Sequence, residues 1–157
     1  MQLTIEPTDD PDIPARLNEV VHRLHYTSHP EVFQPYDYEA FRPWFVVQLA
    51  KPTTTCLSAF LDDEPVGYAL LFLREPSSPF LQPSYRSVQL DQLAVLPEYQ
   101  GRGIGGLLLD RVEQFCREKN VDRLQLSVWI TNFSAREFYR KRGFEPYLEH
   151  WERKLKR

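Results

Sequence analysis

The feature that most constrains this chain is a cluster of glycines between a predicted strand and a predicted helix. Four of the six glycines fall in residues 101–106, within Gln100-Gly101-Arg102-Gly103-Ile104-Gly105-Gly106. Glycine lets the backbone turn tightly and approach a ligand, and a helix start offers unpaired N–H groups and the positive end of the helix dipole. The pattern predicts a cradle for a pyrophosphate, to which Arg102 adds a charge-assisted contact.

The spacing of the glycines also fits the dinucleotide-binding fingerprint, and three features argue against that ligand. Residues 96–100 separate the glycines from the preceding strand, whereas the fingerprint follows its strand directly. No acidic residue ends the next strand, which finishes at Ser127-Val128-Trp129. The chain after Gly106 is too short for a full doubly wound sheet. A mononucleotide P-loop is excluded because the sequence holds no Gly-Lys-Ser/Thr.

Apolar periodicity and turn residues predict the remaining elements. Helices are predicted from Pro11 to about His25, Tyr38 to Leu49, Ile104 to about Lys119 and Ser134 to Arg142. Strands are predicted at Leu3–Ile5, Thr54–Leu61, Val66–Leu73, Ser87–Val95 and Arg123–Val128, with one or two closing strands in Phe144–Leu155. The proline-rich stretch 76–83 is predicted to be a loop and a candidate lid. This order predicts a single domain over residues 1–157, of the α/β (α+β) class, with a mixed, mostly antiparallel twisted sheet flanked by helices.

Charge and cysteine usage narrow the classes of function. The net charge of −3 argues against a non-specific grip on nucleic acid. The basic residues after Arg136 fit either a local anion site or a solvated helix face and tail. Cys56 and Cys116 share no metal or redox spacing, and no apolar run is long enough to span a membrane. We therefore expect a cytoplasmic protein with no metal, no nucleic-acid partner and no membrane anchor.

Three motifs, in the right order, resemble the GNAT superfamily of N-acetyltransferases. Gln100-x-x-Gly103-x-Gly105 is similar to the acetyl-CoA motif of that family, Leu90–Tyr99 resembles its approach strand, and Asn132–Phe144 resembles its downstream segment. Strong matching covers about residues 66–144, and the first half matches only in layout. The resemblance implies an acyltransferase that moves an acetyl group from acetyl-CoA to a primary amine.

The resemblance also implies how acetyl-CoA is held. Two neighbouring parallel strands, near Leu90–Val95 and Arg123–Val128, would splay apart at one end. The pantetheine arm would lie in the gap and pair with the backbone of the first strand, and loop N–H groups would hold the pyrophosphate. The implied cofactor-binding residues are Leu93, Ala94, Val95, Gln100, Gly101, Arg102, Gly103, Ile104, Gly105, Gly106, Asn132 and Tyr139. Asn132 would either bond the cofactor arm or cap a helix.

Tyr139 and Asp91 are the candidate catalytic residues. By resemblance the Tyr139 hydroxyl lies beside the thioester sulfur, and tyrosine keeps its proton at neutral pH; the alternative is that it packs its helix. Period two places Gln89, Asp91, Leu93 and Val95 on one face, where an acid is costly unless it is paired or working. Many family members carry a glutamate where this chain has Gln89, so Asp91 is a candidate base, ammonium anchor or partner of a water.

The acceptor is predicted to bind near the aromatic loop Tyr26–Tyr38, with His29, Tyr36 and Asp91 as candidate contacts. Two features favour a small-molecule amine as the acceptor: the acidic residues around this loop, and the shortness of the chain. A protein N-terminus or lysine is the alternative acceptor. No nucleophile constellation occurs, so direct attack in a ternary complex is expected. A non-catalytic acetyl-CoA sensor remains a further alternative, and the resemblance makes a homodimer one arrangement open to the chain.

Overall fold

The computed structural model describes residues 1–75, 80 and 85–156. The predicted loop and lid at 76–83 lies outside the described residues, apart from Phe80. The chain divides into two compact units, Met1–Ser127 and Val128–Arg157. Among the described helices, none is long and apolar enough to cross a membrane.

A mixed five-stranded sheet forms the centre of the first unit. Its strands are β1 (Leu3–Pro7), β2 (Thr54–Leu61), β3 (Glu64–Arg74), β4 (Ser87–Val95) and β5 (Arg123–Leu126), which lie side by side in that order. The first four pair antiparallel, and β5 pairs parallel to β4. The predicted mixed, mostly antiparallel sheet is confirmed, and β5 ends two residues earlier than the sequence pattern suggests.

Helices cover both faces of this sheet. The first face carries α1 (Asp12–Ser28) and α2 (Tyr38–Leu49), whose Leu17 and Phe45 join a buried apolar cluster with Tyr68 and Leu70 of β3. The second face carries α3 (Ile104–Glu118), which follows a short 3₁₀ turn at Pro97–Tyr99. Because both faces are covered, β3 is apolar through most of its length, as a central strand buried on two sides must be.

A β-bulge interrupts the pairing of β4 with β3. Leu71 pairs with Leu90 and Leu70 pairs with Gln92, so Asp91 is an extra residue without a partner of its own on β3. Such a residue bends its strand and increases the local twist. The bulge therefore marks the point at which β4 changes direction.

The bulge also exchanges the faces of β4, because one extra residue shifts the pleat by one. Before the bulge, Gln89 lies on the face that α1 and α2 cover; beyond it, Leu93 and Val95 lie on the face that α3 covers. The expectation that Gln89, Asp91, Leu93 and Val95 share one face is therefore wrong. Strict alternation holds only along an unbroken ladder.

The second unit contains α4 (Phe133–Lys141) and a long segment without regular structure. The closing strands predicted in Phe144–Leu155 are wrong, because the described residues 144–156 join no ladder. An alternating sequence becomes a strand only when a neighbour takes its backbone hydrogen bonds. Four large apolar side chains of this segment are between 63% and 87% exposed: Tyr147, Leu148, Trp151 and Leu155.

Candidate active site

The sheet opens between its two parallel strands. β4 and β5 pair from Ser87 and Arg123 up to Leu90 and Leu126, where β5 ends. Among the described residues, the edge of β4 that faces β5 has no ladder partner from residue 91 to residue 95. The opening begins at the bulged residue. A free strand edge of this kind can bind an extended ligand through main-chain hydrogen bonds.

The glycine loop lies immediately after this free edge and is shaped as a cradle. Gly101 and Gly103 have φ angles of +73° and +82°, which side-chain-bearing residues adopt at a cost. A Cβ atom at either position would meet nothing within 4 Å, so the backbone faces open space. The first bond of α3 runs from the Leu107 N–H to the Gly103 carbonyl at 3.0 Å. In the described chain no carbonyl accepts from the N–H groups of residues 101–106, which stay available to an anion.

Two side chains support the loop. The Gln100 Nε2 atom donates to the Val95 carbonyl oxygen at 2.8 Å and so ties the loop to the end of β4. The exposed guanidinium of Arg102 stands 5.3 Å from the centre of the Tyr99 ring. A phosphate held by the loop would lie near this guanidinium, which can form charge-assisted hydrogen bonds with it.

Asp91 lies at the start of the opening, and part of its side chain is exposed to solvent. Its Oδ2 atom accepts a hydrogen bond of 3.3 Å from Gln92 Nε2. The carboxyl group itself is partly surrounded by protein, and this partial desolvation raises its pKa above its usual range, against the opposing effects of the Gln92 bond and the Arg74 charge. A carboxylate with a raised pKa is a better proton acceptor than an ordinary one, which suits the predicted role of base or ammonium anchor.

Behind Asp91 lies a buried polar triangle that sequence reasoning missed. Asn18 Nδ2 donates to the Tyr68 hydroxyl at 3.0 Å and to Gln92 Oε1 at 3.1 Å, and Tyr68 donates to Gln92 Oε1 at 2.6 Å. Asn18 and Tyr68 are 4% and 0% exposed. The sequence does show one polar residue, Asn18, inside the apolar stripe of α1 and one phenol, Tyr68, inside the apolar strand β3. Because buried polar groups require partners, these two positions indicate a buried hydrogen-bond network.

Tyr139 and Asn132 belong to the second unit, and their part in the site stays a prediction. Burial raises the pKa of Tyr139 to about 12. Its ring contacts those of Phe138 and Phe144, with centroids 5.2 and 5.5 Å away, and its hydroxyl makes no hydrogen bond in the described part of the chain. Asn132 Oδ1 accepts from the Ala135 N–H at 3.1 Å and caps α4, so the capping alternative is observed.

The two other predicted acceptor contacts have structural roles in the first unit. Tyr36 donates its hydroxyl to the Ala15 carbonyl at 2.7 Å, and burial raises its pKa. His29 is the residue that follows the last residue of α1, and its backbone N–H donates a hydrogen bond of 2.8 Å to the His25 carbonyl. Its Nδ1 atom lies 3.9 Å from a Glu31 carboxylate oxygen. Both residues hold the loop before α2 against α1. Their contact with an acceptor remains a prediction.

The first unit thus brings together the free edge of β4, the glycine cradle and Asp91. Among the described residues, no group of three or more His, Cys, Asp or Glu side chains is placed to hold a metal ion. A free strand edge binds an extended chain and the glycine cradle binds an anionic group, so the two together fit one ligand that carries both.

The chain belongs to the acetyltransferase (GNAT) family, whose model matches residues 18–144. It is 36% identical over 58 residues to a putative ribosomal protein bS18-alanine N-acetyltransferase of Bacillus subtilis, which covers 37% of this chain and 38% of that protein. It is 29% identical over 109 residues to an aminoalkylphosphonate N-acetyltransferase of Salmonella typhimurium, which covers 69% of this chain and 68% of that protein. Both relatives are named as N-acetyltransferases.

The solved structures agree on the fold. A tetramutant protein from Bacillus halodurans superposes with a TM-score of 0.87 at 22% identity, over 99% of this chain and 100% of that one. This likeness shows the fold alone. The chain covers 38% of the length of the Bacillus subtilis relative. It covers 58% of the length of an uncharacterized N-acetyltransferase of Lactobacillus delbrueckii subsp. lactis.

Proposed function

We propose that this chain transfers the acetyl group of acetyl-CoA to a small-molecule primary amine by direct attack within a ternary complex. The observation that carries the proposal is the free edge of β4 at residues 91–95, followed directly by the open glycine cradle at 101–106. In the described chain the outer edge of β4 has no ladder partner there, and the N–H groups of residues 101–106 donate to no carbonyl, although unpaired backbone groups are costly to keep without ligand or water. The pair of features fits a ligand with an amide arm and a pyrophosphate.

The residues present fit acetyl-CoA. Backbone groups of Leu93–Val95 would hold the pantetheine arm, and the N–H groups of residues 101–106 would hold the pyrophosphate, with Arg102 beside it. Asn132 retains its Nδ2 group as a donor for the arm. Acetyl-CoA, when bound, supplies the activated acetyl thioester.

The chain supplies the proton chemistry. An amine attacks only when it is neutral, so a carboxylate at Asp91 would remove its proton or hold the ammonium before it loses one. The Tyr139 hydroxyl, with its pKa raised to about 12, keeps its proton at neutral pH and would donate it to the departing sulfur. Cys56 and Cys116 are buried, and burial raises their pKa values to about 12 and about 11, so neither offers a thiolate for a covalent intermediate.

A small-molecule acceptor is supported by the extent of the two named likenesses. The Salmonella typhimurium relative, whose name specifies an aminoalkylphosphonate, aligns over 109 residues. The Bacillus subtilis relative, whose name specifies a ribosomal protein, aligns over 58 residues. An alignment of 109 residues must reach into the first half of this chain, which holds the loop predicted to contact the acceptor. A protein N-terminus or lysine is the competing acceptor.

We also propose that two copies pair as a homodimer in the cytoplasm. Exposed apolar side chains that lie close in the sequence, such as Tyr147, Leu148 and Trp151, are typical of interaction surfaces. Free thiols at Cys56 and Cys116 fit a reducing compartment. Light scattering measures the mass of the chain and of a Trp151→Ser variant; a monomeric wild type would overturn the dimer.

Thiol release from acetyl-CoA tests the function. The acceptors are aminoalkylphosphonates, polyamines, aminoglycosides, amino acids and peptides with N-terminal alanine. Release with a small amine, together with its loss in Asp91→Asn, is the expected result. Release with peptides alone would replace the small molecule by a protein acceptor. Tight binding of acetyl-CoA without release for any amine would overturn the enzyme in favour of a sensor.

A further inference from the structure

In the buried triangle of Asn18, Tyr68 and Gln92, the Asn18 amide hydrogens, the Tyr68 hydroxyl and the Gln92 Oε1 atom are all hydrogen-bonded. The Asn18 Oδ1 atom has no partner in the described chain. Both hydrogens of Asn18 Nδ2 are donated, one to the Tyr68 hydroxyl and one to Gln92 Oε1. The Tyr68 hydroxyl accepts once and donates once, and Gln92 Oε1 accepts twice. The triangle links α1, β3 and β4 at a point where all three elements meet.

With Asn18 in its observed orientation, this arrangement leaves the Gln92 amide one orientation. If the amide turned over, its Nε2 hydrogens would face the hydrogens of Asn18 Nδ2, and two donors repel each other. The Oε1 atom is therefore held inward and the Nε2 group outward. The group that points outward reaches Asp91 Oδ2 at 3.3 Å.

The bulge is what allows this last contact. In an unbroken strand, successive side chains point to opposite faces and do not meet. At the bulge, Asp91 has no partner on β3, and its carboxylate lies beside the side chain of its neighbour Gln92. Bulges are known to redirect a side chain in this way. The buried triangle and the exposed carboxylate are therefore connected through a single amide.

Other groups around the carboxylate set its electrostatic surroundings. From β3, the Arg74 charge lowers its pKa, and the neutral Tyr68 phenol, whose pKa burial raises, stands behind it. Cys56 of β2 and Tyr36 of the loop before α2 act on that phenol. From α1 comes Asn18, which carries no charge. The Gln92 bond favours the ionised carboxylate against its burial.

We infer that Asn18, Tyr68 and Gln92 are positioning residues that hold the Asp91 carboxylate in one orientation at the opening of the sheet, where the acceptor amine is to be deprotonated. The inference rests on the function proposed above. A triangle with no such role would only tether α1 to the sheet. The two readings differ in what the triangle does to the acidic limb of the pH profile.

The test measures kcat and KM for the amine from about pH 5 to about pH 9, with acetyl-CoA affinity measured separately. Tyr68→Phe removes one hydroxyl and keeps the ring, so Gln92 is held less firmly and its bond to Asp91 weakens. We expect kcat/KM to fall about tenfold and the acidic limb to move to higher pH. The acetyl-CoA Kd should stay unchanged. Tyr85→Phe, whose phenol has no hydrogen bond in the described chain, is the matched control.

A double-mutant comparison identifies the route of the effect. If Tyr68 acts through Asp91, Tyr68→Phe has no further effect on kcat/KM in an Asp91→Asn background. An equal fold-change in both backgrounds, or an unmoved acidic limb, would overturn the inference. If Tyr68→Phe fails to fold, Asn18→Leu serves instead, because it removes a donor to Gln92 together with an Oδ1 atom that has no partner in the described chain. A wild type without turnover would instead overturn the proposed function.

Discussion

The glycine cradle can be tested by adding one methyl group at Gly103. This residue has a φ of +82° and stands at the start of α3. A Cβ atom placed there meets no atom within 4 Å, so Gly103→Ala creates no clash inside the protein. The methyl group instead projects into open space, which we expect the pyrophosphate to occupy. The substitution therefore separates backbone strain from loss of the ligand site.

Two magnitudes follow from this geometry. An alanine in the left-handed region costs about 1–2 kcal/mol, which corresponds to a decrease in Tm of roughly 2–8 °C for a chain of this size. Displacing a pyrophosphate from three or more N–H donors should weaken acetyl-CoA binding by at least about tenfold, or ~1.4 kcal/mol. The folding cost is small against the stability of an ordinary domain, so the variant should fold.

Gly143→Ala is the matched control. Gly143 has a φ of +85°, and a Cβ atom there also meets nothing within 4 Å, so the same strain is added outside residues 101–106. Differential scanning calorimetry should give similar decreases in Tm for both variants. Titration calorimetry should show weakened acetyl-CoA binding for Gly103→Ala alone. Undiminished binding by Gly103→Ala, or equal weakening by Gly143→Ala, would refute the cradle.

Three further predictions concern the acid, the core and the pH dependence of stability. Tyr139→Phe should lower kcat by about 10²–10³-fold with an unchanged acetyl-CoA Kd; an unchanged kcat in steady-state assays would remove Tyr139 from the mechanism. Phe45→Ala, at a position that is 0% exposed, should cost about 3–5 kcal/mol in urea unfolding, whereas Val47→Ala, 57% exposed, should cost less than about 0.5. Burial lowers the pKa of His25, helped by the charges of His22 and His29, so the unfolded state binds a proton first as the pH falls. The free energy of unfolding should therefore decrease as the pH falls through about 6.5. The decrease should be smaller in His25→Phe, which keeps an aromatic ring stacked on Phe33. Equal decreases in the two proteins would contradict the assignment to His25.

The sequence pattern predicts the elements of this fold well wherever the signal is local. The limits of β2, α2 and β4 agree with the structure, and the start of α3 falls at the predicted residue. Apolar periodicity and the residues at chain turns carry this information within about ten positions. The glycine loop was found for the same reason, since positive φ angles at Gly101 and Gly103 are a local requirement.

Other features of the site depend on residues distant in the chain. The bulge at Asp91 exists because β3 and β4 differ by one residue in register, which neither strand shows by itself. The triangle joins Asn18 to partners 50 and 74 positions away. A period read from one strand therefore wrongly grouped Leu93 and Val95 with Gln89 on one face.

The segment after Phe144 shows the same division between sequence and tertiary structure. One or two strands are predicted there, yet a strand exists only where a second strand accepts its hydrogen bonds, and in the described chain none does. The sequence by itself determined most of the helices and strands, the glycine loop and the resemblance to the family, which implied the opening between β4 and β5. Only the tertiary structure decided the register, the bulge and the orientation of Asp91, because these are properties of pairs of segments and not of any one segment.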